Sequence, residues 1–199
     1  YRKRSVIKAG QPTFLNMLCC GTFIMGASVI PMSLQEPISE YGLDVACMST
    51  IWLLSIGFVT AFSALFCKLW RLNKVMKKSK SFRRVKVEAQ DALYPFAILL
   101  TLNVIVLSTW TATTPLKWRR VPLDSVDHFG RTLESYGMCS GENEVMFYVA
   151  LLVINLSAVV FANWQSYLAR KHPTEFNESF YISIAMASQL EAAVLGVPV

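Results

Sequence analysis

The sequence predicts an all-α fold, a polytopic bundle of helices that cross a membrane. Of the 199 residues, 54% are hydrophobic and only 16% are charged, against roughly 25% charged in ordinary soluble domains. The charges also cluster in short segments, which leaves long apolar stretches uninterrupted. Because a helix needs about 20 apolar residues to cross the hydrocarbon core of a bilayer, these stretches are typical of membrane spans.

Five stretches reach this length and together make up more than half of the chain. The first four contain no Asp, Glu, Lys or Arg, and the fifth contains only Glu191. They are too long for buried helices of a soluble domain, which average about 11–12 residues. They also lack the strict alternation of a membrane barrel strand. The predicted spans of this single partial bundle (1–199) are 14–34, 45–67, 92–116, 145–169 and 179–199.

The charged segments between the spans predict the orientation, because Lys and Arg are retained on the cytoplasmic side. Segment 68–91 carries nine basic residues against two acidic ones, and residues 1–8 carry four basic residues and no acid. Segment 36–44 carries three acids and no base. We therefore expect residues 1–8, 68–91 and 170–178 to be cytoplasmic, and 36–44 and 117–144 to lie outside.

The net charge of +6 needs no nucleic-acid partner, since most of the excess lies in segment 68–91. Basic residues interleaved with aromatics on a soluble fold, which a nucleic-acid interface requires, are missing. His128 and His172 are isolated, and no HExxH, GxSxG, Walker or GxGxxG pattern occurs. The sequence thus predicts no catalytic residue, no metal site and no cofactor, and no enzyme.

The five cysteines are separated by this topology. Cys47 and Cys139 are the two on the oxidising outer side, so a disulfide between them is predicted, which would hold the outer loop over the mouth of the bundle. The alternative is two free thiols. Cys19 and Cys20, inside the first span, are expected to be small residues at a helix contact rather than a metal or palmitoylation site.

Several polar side chains fall inside the predicted spans, where an unpartnered polar group is costly. Asn103 and Asn155 are predicted to hold helix contacts through hydrogen bonds. Glu191 is ionisable, so it is a candidate for lining an internal cavity. The other candidates for interhelical hydrogen bonds are Asn163 and Gln165.

Two charges stand at the same predicted membrane depth. Lys68 follows the second span and Glu178 precedes the fifth, both at the cytoplasmic border. A partly dehydrated ion pair between them would hold two helices together. The alternative is two unrelated charges that extend to the interface independently.

Several stretches resemble one family, the seven-helix domain of class C G-protein-coupled receptors, and are most similar to its metabotropic GABA receptor branch. The most specific is CMSTIWLLSIGFVTAFSALFCKLWRLNKV, which resembles the third family helix and its exit. Others resemble the second, fourth and sixth helices and the second outer loop. In order along the chain, the matching stretches are 6–18, 47–75, 108–118, 136–139, 176–183 and 197–199.

The resemblance implies that the five spans correspond to family helices two to six. Helices one and seven and an extracellular ligand-binding domain are then expected to be missing from this chain. It also implies that Cys47 and Cys139 form the family disulfide and that Lys68 and Glu178 form an inner ionic lock. The G-protein contact loop is implied to include Arg71, Lys74, Lys77, Lys78, Lys80, Arg83 and Arg84.

The function implied by the resemblance is transfer of a signal from an extracellular, amino-acid-like small molecule to a heterotrimeric G protein. The implied partners are that G protein, membrane lipid and a second receptor subunit in a homo- or heterodimer, and the expected location is the plasma membrane. No small-molecule site is carried over, because the stretch before Pro198 lacks the tryptophan of several metabotropic glutamate receptors. The alternatives are a transporter or channel segment, or a membrane scaffold that does not signal.

Overall fold

The computed structural model describes residues 12–79, 89–123 and 135–169, together with positions 184, 185 and 188. Five helices and one antiparallel hairpin form within these residues. In chain order they are α1 (Pro12–Ala27), α2 (Val29–Met32), α3 (Glu40–Ser79), α4 (Ala89–Thr113), β1 (Lys117–Pro122), β2 (Ser135–Ser140) and α5 (Glu144–Ala169).

Four helical stretches among the described residues are long and apolar enough to cross a membrane. They are Pro12–Met32, formed by α1 and α2, Glu40–Trp70 in α3, Leu93–Thr113 in α4 and Glu144–Gln165 in α5. The prediction of an all-α, polytopic membrane bundle is confirmed. The fifth predicted span lies outside the described residues apart from positions 184, 185 and 188.

Helix α3 lies at the centre of the bundle and contacts α1, α4 and α5. In its most apolar stretch 44% of the residues are buried, against 17% in each of the other three stretches. Large apolar side chains remain exposed on α1, α4 and α5, among them Phe23, Ile105 and Val153. Such outward apolar surface is what a bilayer accepts, because lipid tails are as apolar as the side chains.

Two glycines bring α1 and α3 into close contact. A Cβ on Gly21 would lie 2.8 Å from the Cα of Ala61, and a Cβ on Gly57 would lie 2.8 Å from the Cα of Met25. Side chains at these positions would push the two backbones apart. Small residues in this role are typical of helix contacts inside membranes, where close packing replaces the hydrophobic driving force.

Two connecting segments are more ordered than the sequence indicated. The predicted inner segment 68–91 is helical from residue 68 to Ser79, as the continuation of α3, and again from Ala89. The predicted outer loop 117–144 contains the hairpin, in which β1 pairs with β2 from Lys117 with Ser140 to Pro122 with Ser135. We call the end of the bundle under this hairpin the hairpin end, and the opposite end the far end.

Candidate functional site

A disulfide fastens the hairpin to the bundle. Cys47, near the start of α3, is joined to Cys139 of β2, with 5.8 Å between their Cα atoms and a separation of 92 positions in sequence. The predicted bridge is therefore present. Both cysteines pack among buried apolar residues of the hairpin end, so the bond links the central helix to the strand that lies across it.

Two backbone hydrogen bonds position the beginning of the hairpin over the start of α3. The backbone N–H of Trp118 donates to Asp44 Oδ1 at 2.7 Å, and the N–H of Leu116 donates to the sulfur of Met48 at 3.4 Å. Gly137 lies beside the Trp118 indole, and a Cβ there would overlap the ring. The hairpin is therefore held by backbone hydrogen bonds as well as by the covalent bond.

An exposed ion pair joins the hairpin to the segment between α2 and α3. Arg120 of β1 donates from Nε to Glu36 Oε1 at 2.9 Å, and its Nη2 donates a second hydrogen bond to Glu36 Oε2. The hydrogen bond from Arg120 holds the pKa of the Glu36 carboxyl below its usual range, and the same bond raises the pKa of the guanidinium. The sequence did not indicate this pair, because its partners are 84 residues apart.

The other side of the hairpin leads directly into α5. The N–H of Gly141, just after β2, donates to the carboxylate of Glu144 at 2.8 Å. Glu144 occupies the first turn of α5, where a negative charge is stabilised by the helix dipole. The hairpin therefore links the beginnings of two spanning helices, α3 through the disulfide and α5 through this cap.

Beneath the hairpin lies an apolar cluster, which we call the hairpin-end cluster. Trp110 of α4 is fully buried in it. Its ring stacks on Phe147 with 5.3 Å between centroids and meets the edge of Tyr148 at 4.8 Å, both on α5. The buried members of the cluster are Cys47, Met48, Leu107, Trp110, Leu116 and Leu151.

Three polar side chains meet in the middle of the bundle, and we call them the polar layer. Asn103 of α4 is fully buried, and its Oδ1 accepts a hydrogen bond from Ser55 Oγ of α3 at 3.2 Å. The same oxygen accepts from Asn155 Nδ2 of α5 at 2.9 Å. The prediction that Asn103 and Asn155 hold helix contacts is confirmed, and the structure adds Ser55 as the third member.

A second apolar cluster, the far-end cluster, lies on the other side of the polar layer. Its buried members are Phe62, Phe66, Leu69, Val159 and Ala162. Phe58, Phe62 and Phe66 stack in succession along α3, and the ring of Phe66 lies 5.9 Å from that of Phe161 on α5. In this cluster, α3 therefore packs against α5 through apolar and aromatic side chains.

The structure places some of the predicted inner residues and leaves others undescribed. Lys68 lies on α3 and is half-buried, whereas Glu178 and Glu191 lie outside the described residues. Lys74 lies on the far-end extension of α3, with its Nζ 4.6 Å from the centroid of the Trp70 ring. Arg71, Lys77 and Lys78 belong to the same helix, and the remaining residues of the predicted contact loop, Lys80, Arg83 and Arg84, lie outside the described part.

The three cysteines outside the disulfide differ in burial. Cys67 is fully buried beside Phe14 of α1 at the far end. Cys19 and Cys20 are exposed on α1, so the expected helix contact at these two positions is not formed by the described residues. Cys19 lines a shallow apolar groove together with Phe23, Gly26 and Ile30.

Membrane-length helices around a polar layer, with a disulfide-tethered hairpin across one end, define a polytopic membrane protein. All 199 residues match the model of one family, described as "7 transmembrane sweet-taste receptor of 3 GCPR". The chain therefore belongs to the class C family of seven-transmembrane G-protein-coupled receptors, and the resemblance seen in the sequence is confirmed.

Similar proteins include subunits of the gamma-aminobutyric acid type B receptor. The chain is 28% identical to human gamma-aminobutyric acid type B receptor subunit 2 over 138 residues, which cover 69% of this chain and 13% of that protein. It is 25% identical to the Caenorhabditis elegans subunit 2, over 98% of this chain and 24% of the relative. A Dictyostelium discoideum metabotropic glutamate receptor-like protein J is 26% identical, over 90% of this chain and 22% of its own length. The chain thus spans a quarter or less of these relatives.

Proposed function

We propose that this chain forms part of the transmembrane domain of a class C G-protein-coupled receptor. In this role it transmits a signal from an extracellular ligand to a heterotrimeric G protein and catalyses no reaction itself. The observation that carries the proposal is the match of the whole chain to the receptor family. The receptor names of the similar proteins support it.

The proposed orientation places the hairpin end outside the cell and the far end in the cytoplasm. The disulfide supports this orientation, because disulfides persist in oxidising compartments. The excess of Lys and Arg in segment 68–91 supports it independently. Residues 1–8, 68–91 and 170–178 are then cytoplasmic, and the receptor resides in the plasma membrane.

At the cytoplasmic side, the continuation of α3 supplies the proposed G-protein contact. Because α3 remains helical to Ser79, residues 71, 74 and 78 recur at the three- and four-residue spacing that places them on one face. Together with Lys77, Lys80, Arg83 and Arg84 they form a basic segment suited to an acidic protein surface or to anionic lipid headgroups.

The proposed ionic lock joins Lys68 to Glu178 in the resting state. Exchanging the two charges tests it. Lys68→Glu and Glu178→Lys singly place like charges together and should raise agonist-independent signalling, whereas the double variant should restore the resting level. Equal signalling by all four proteins at equal surface expression would contradict the lock.

The proposed ligand is an amino-acid-like small molecule, bound in an extracellular part of the full-length protein. Support comes from the similar proteins, whose names refer to gamma-aminobutyric acid and glutamate. A homo- or heterodimeric receptor is proposed on the same basis, because the relatives are called subunits. Glu191 is proposed to line a cavity within the bundle, which Glu191→Gln tests through a changed ligand response.

The deciding experiment is a G-protein activation assay on the full-length protein in cell membranes. Gamma-aminobutyric acid and glutamate are applied separately, with the protein expressed alone and with a second receptor subunit. We expect nucleotide exchange on the G protein above that of membranes lacking the receptor. No exchange with either ligand, and none above background without ligand, would contradict the proposal.

A further inference from the structure

The polar layer separates the two apolar clusters at the same level on two helices. On α4, Leu99 and Leu107 stand four residues on either side of Asn103, and on α5, Leu151 and Val159 stand four residues on either side of Asn155. Leu107 and Leu151 belong to the hairpin-end cluster, whereas Val159 belongs to the far-end cluster and Leu99 packs against it. The apolar interior is therefore interrupted by a single layer of polar side chains, Ser55, Asn103 and Asn155, with apolar residues one helical turn above and below it.

A single acceptor atom links the three helices of the polar layer. Asn103 Oδ1 receives both interhelical hydrogen bonds, one from Ser55 and one from Asn155. The amide nitrogens of Asn103 and Asn155 also bond to carbonyl oxygens of their own helices, those of Leu99 and Leu151. Helix α5 is thus attached to the layer by one hydrogen bond that can break while Asn155 keeps a partner on α5.

The amide oxygen of Asn155 shows that the hydrogen bonding of the polar layer is incomplete among the described residues. This oxygen, Oδ1, is buried and has no hydrogen-bond partner among the described residues. A buried acceptor without a partner raises the energy of the packing that contains it. This packing is therefore less strongly favoured over a shifted one than a fully bonded layer would be.

The two sides of the layer are fastened differently. Above it, α3 and α5 are both linked to the hairpin, through Cys47–Cys139 and through the Glu144 cap. Below it, the far-end cluster packs α3 against α5 through apolar and aromatic side chains such as Phe66 and Phe161, and no covalent bond joins the two helices among the described residues. A shift of apolar side chains against one another breaks no hydrogen bond, and lipid tails are as apolar as the side chains that such a shift exposes.

We propose that the polar layer Ser55–Asn103–Asn155 is a pivot, at which the far-end half of α5 moves against α3 and α4 while the hairpin-end half stays fixed. The bond from Asn155 to Asn103 forms in one arrangement and breaks in the other, and the two apolar clusters pack separately in both. The inference rests on the proposed function only for its role in signalling, since the movement is measured without a G protein.

The movement is tested with spin labels at the far end of the full-length protein. Leu15 on α1 and Tyr167 on α5 are exposed, so Leu15→Cys and Tyr167→Cys carry the labels, with Cys19 and Cys20 changed to Ser. The distance between the two labels is measured by double electron–electron resonance, a pulsed electron paramagnetic resonance method. In the parent we expect a broad or two-component distribution. In Asn103→Leu/Asn155→Leu, where leucines join the two clusters into one core, we expect a single narrow component.

Matched variants distinguish a pivot from a general effect on folding. Thr109 on α4 and Ser157 on α5 are exposed and bond only to carbonyls of their own helices, so Thr109→Val/Ser157→Ala serves as control and should leave the distribution unchanged. Removing both partners of a buried hydrogen bond with apolar groups is nearly neutral for stability, whereas removing one leaves a polar group unpaired. We therefore expect the Asn103/Asn155 double variant to melt no lower than Asn103→Leu alone.

Signalling is measured on the same proteins. Ligand-stimulated nucleotide exchange, with gamma-aminobutyric acid as the probe, should fall about threefold or more in the double variant, the shift that an average interhelical hydrogen bond produces. An unchanged distance distribution in a folded double variant would overturn the pivot. So would a melting temperature of the double variant that is lowered by the sum of the decreases caused by Asn103→Leu and Asn155→Leu separately. Distances that narrow as expected, in a protein that activates no G protein, would support the pivot and reject the proposed function.

Discussion

The two ends of the bundle are built from similar helices but are held together by different means. At the hairpin end, a disulfide and backbone hydrogen bonds to Asp44 and Met48 fix the hairpin on α3, and an ion pair fixes it to the segment before α3. At the far end, the contacts that define the core are apolar and aromatic. The hairpin end therefore resists displacement through a covalent bond and hydrogen bonds, whereas the far end depends on the fit of its side chains.

The largest expected effect breaks the hairpin end. Cys139→Ser removes a bond between residues 92 positions apart, and loss of such a bridge costs about 2–5 kcal/mol of folding free energy. We expect a lower melting temperature for the purified protein in detergent and a more protease-sensitive hairpin. Cys19→Ser, which changes an exposed thiol, is the control. Equal melting of the two variants would show that the hairpin is held without the disulfide.

The second-largest effect concerns the interface between helices α1 and α3, which extends toward both ends of the bundle. Gly57→Ala places a Cβ 2.8 Å from the Cα of Met25, and overpacking of this kind costs about 1–3 kcal/mol. Thermal unfolding measures it. Gly26→Ala on α1 is the matched control, because a Cβ there meets nothing within 4 Å, and Ala favours the helix. If both variants melt alike, the close approach does not stabilise the bundle.

The third effect tests the fit of side chains at the far end. Leu69 is fully buried, whereas Leu54 on the same helix is 47% exposed. Leu69→Ala should lower the free energy of unfolding by about 1–2 kcal/mol, which is below the usual range for soluble cores. Transfer of a side chain from lipid to the protein interior contributes little, because both are apolar, so the cost of the cavity is what remains. Leu54→Ala should change the melting temperature little. A larger loss at Leu54 would show that its face is covered by protein.

The smallest effect concerns the exposed ion pair and depends on pH. Since Arg120 lowers the pKa of Glu36, the pair stabilises the folded state above the pKa of the unfolded carboxyl, and this contribution is lost as the pH falls through the lowered value. The difference in melting temperature between the parent and Glu36→Gln should therefore be present at neutral pH and vanish in acid. Exposed Glu142→Gln is the control, and a difference that grows in acid would contradict the sign.

Prediction from sequence succeeded where a local pattern carries the physical cause. Apolar length predicted the membrane bundle, and polar residues within apolar runs predicted contacts at Asn103 and Asn155, because an amide in lipid requires a partner. The hairpin was missed, since the charged residues of Lys117–Pro122 fit a loop as well as a strand. Its pairing with Ser135–Ser140 depends on contacts with α3 that no local pattern reveals.

The membrane setting, the receptor family and the pairing of Cys47 with Cys139 could all be predicted from the amino-acid sequence. Each of these depends on composition, on the order of charged and apolar segments, or on motifs that can be read along the chain. Three contacts became visible only in the folded chain: Ser55 completes the polar layer, Arg120 pairs with Glu36, and Gly57 meets Met25. These contacts join residues 32 to 84 positions apart, and no local pattern reveals them because their energies depend on angstrom-scale distances set by helix packing.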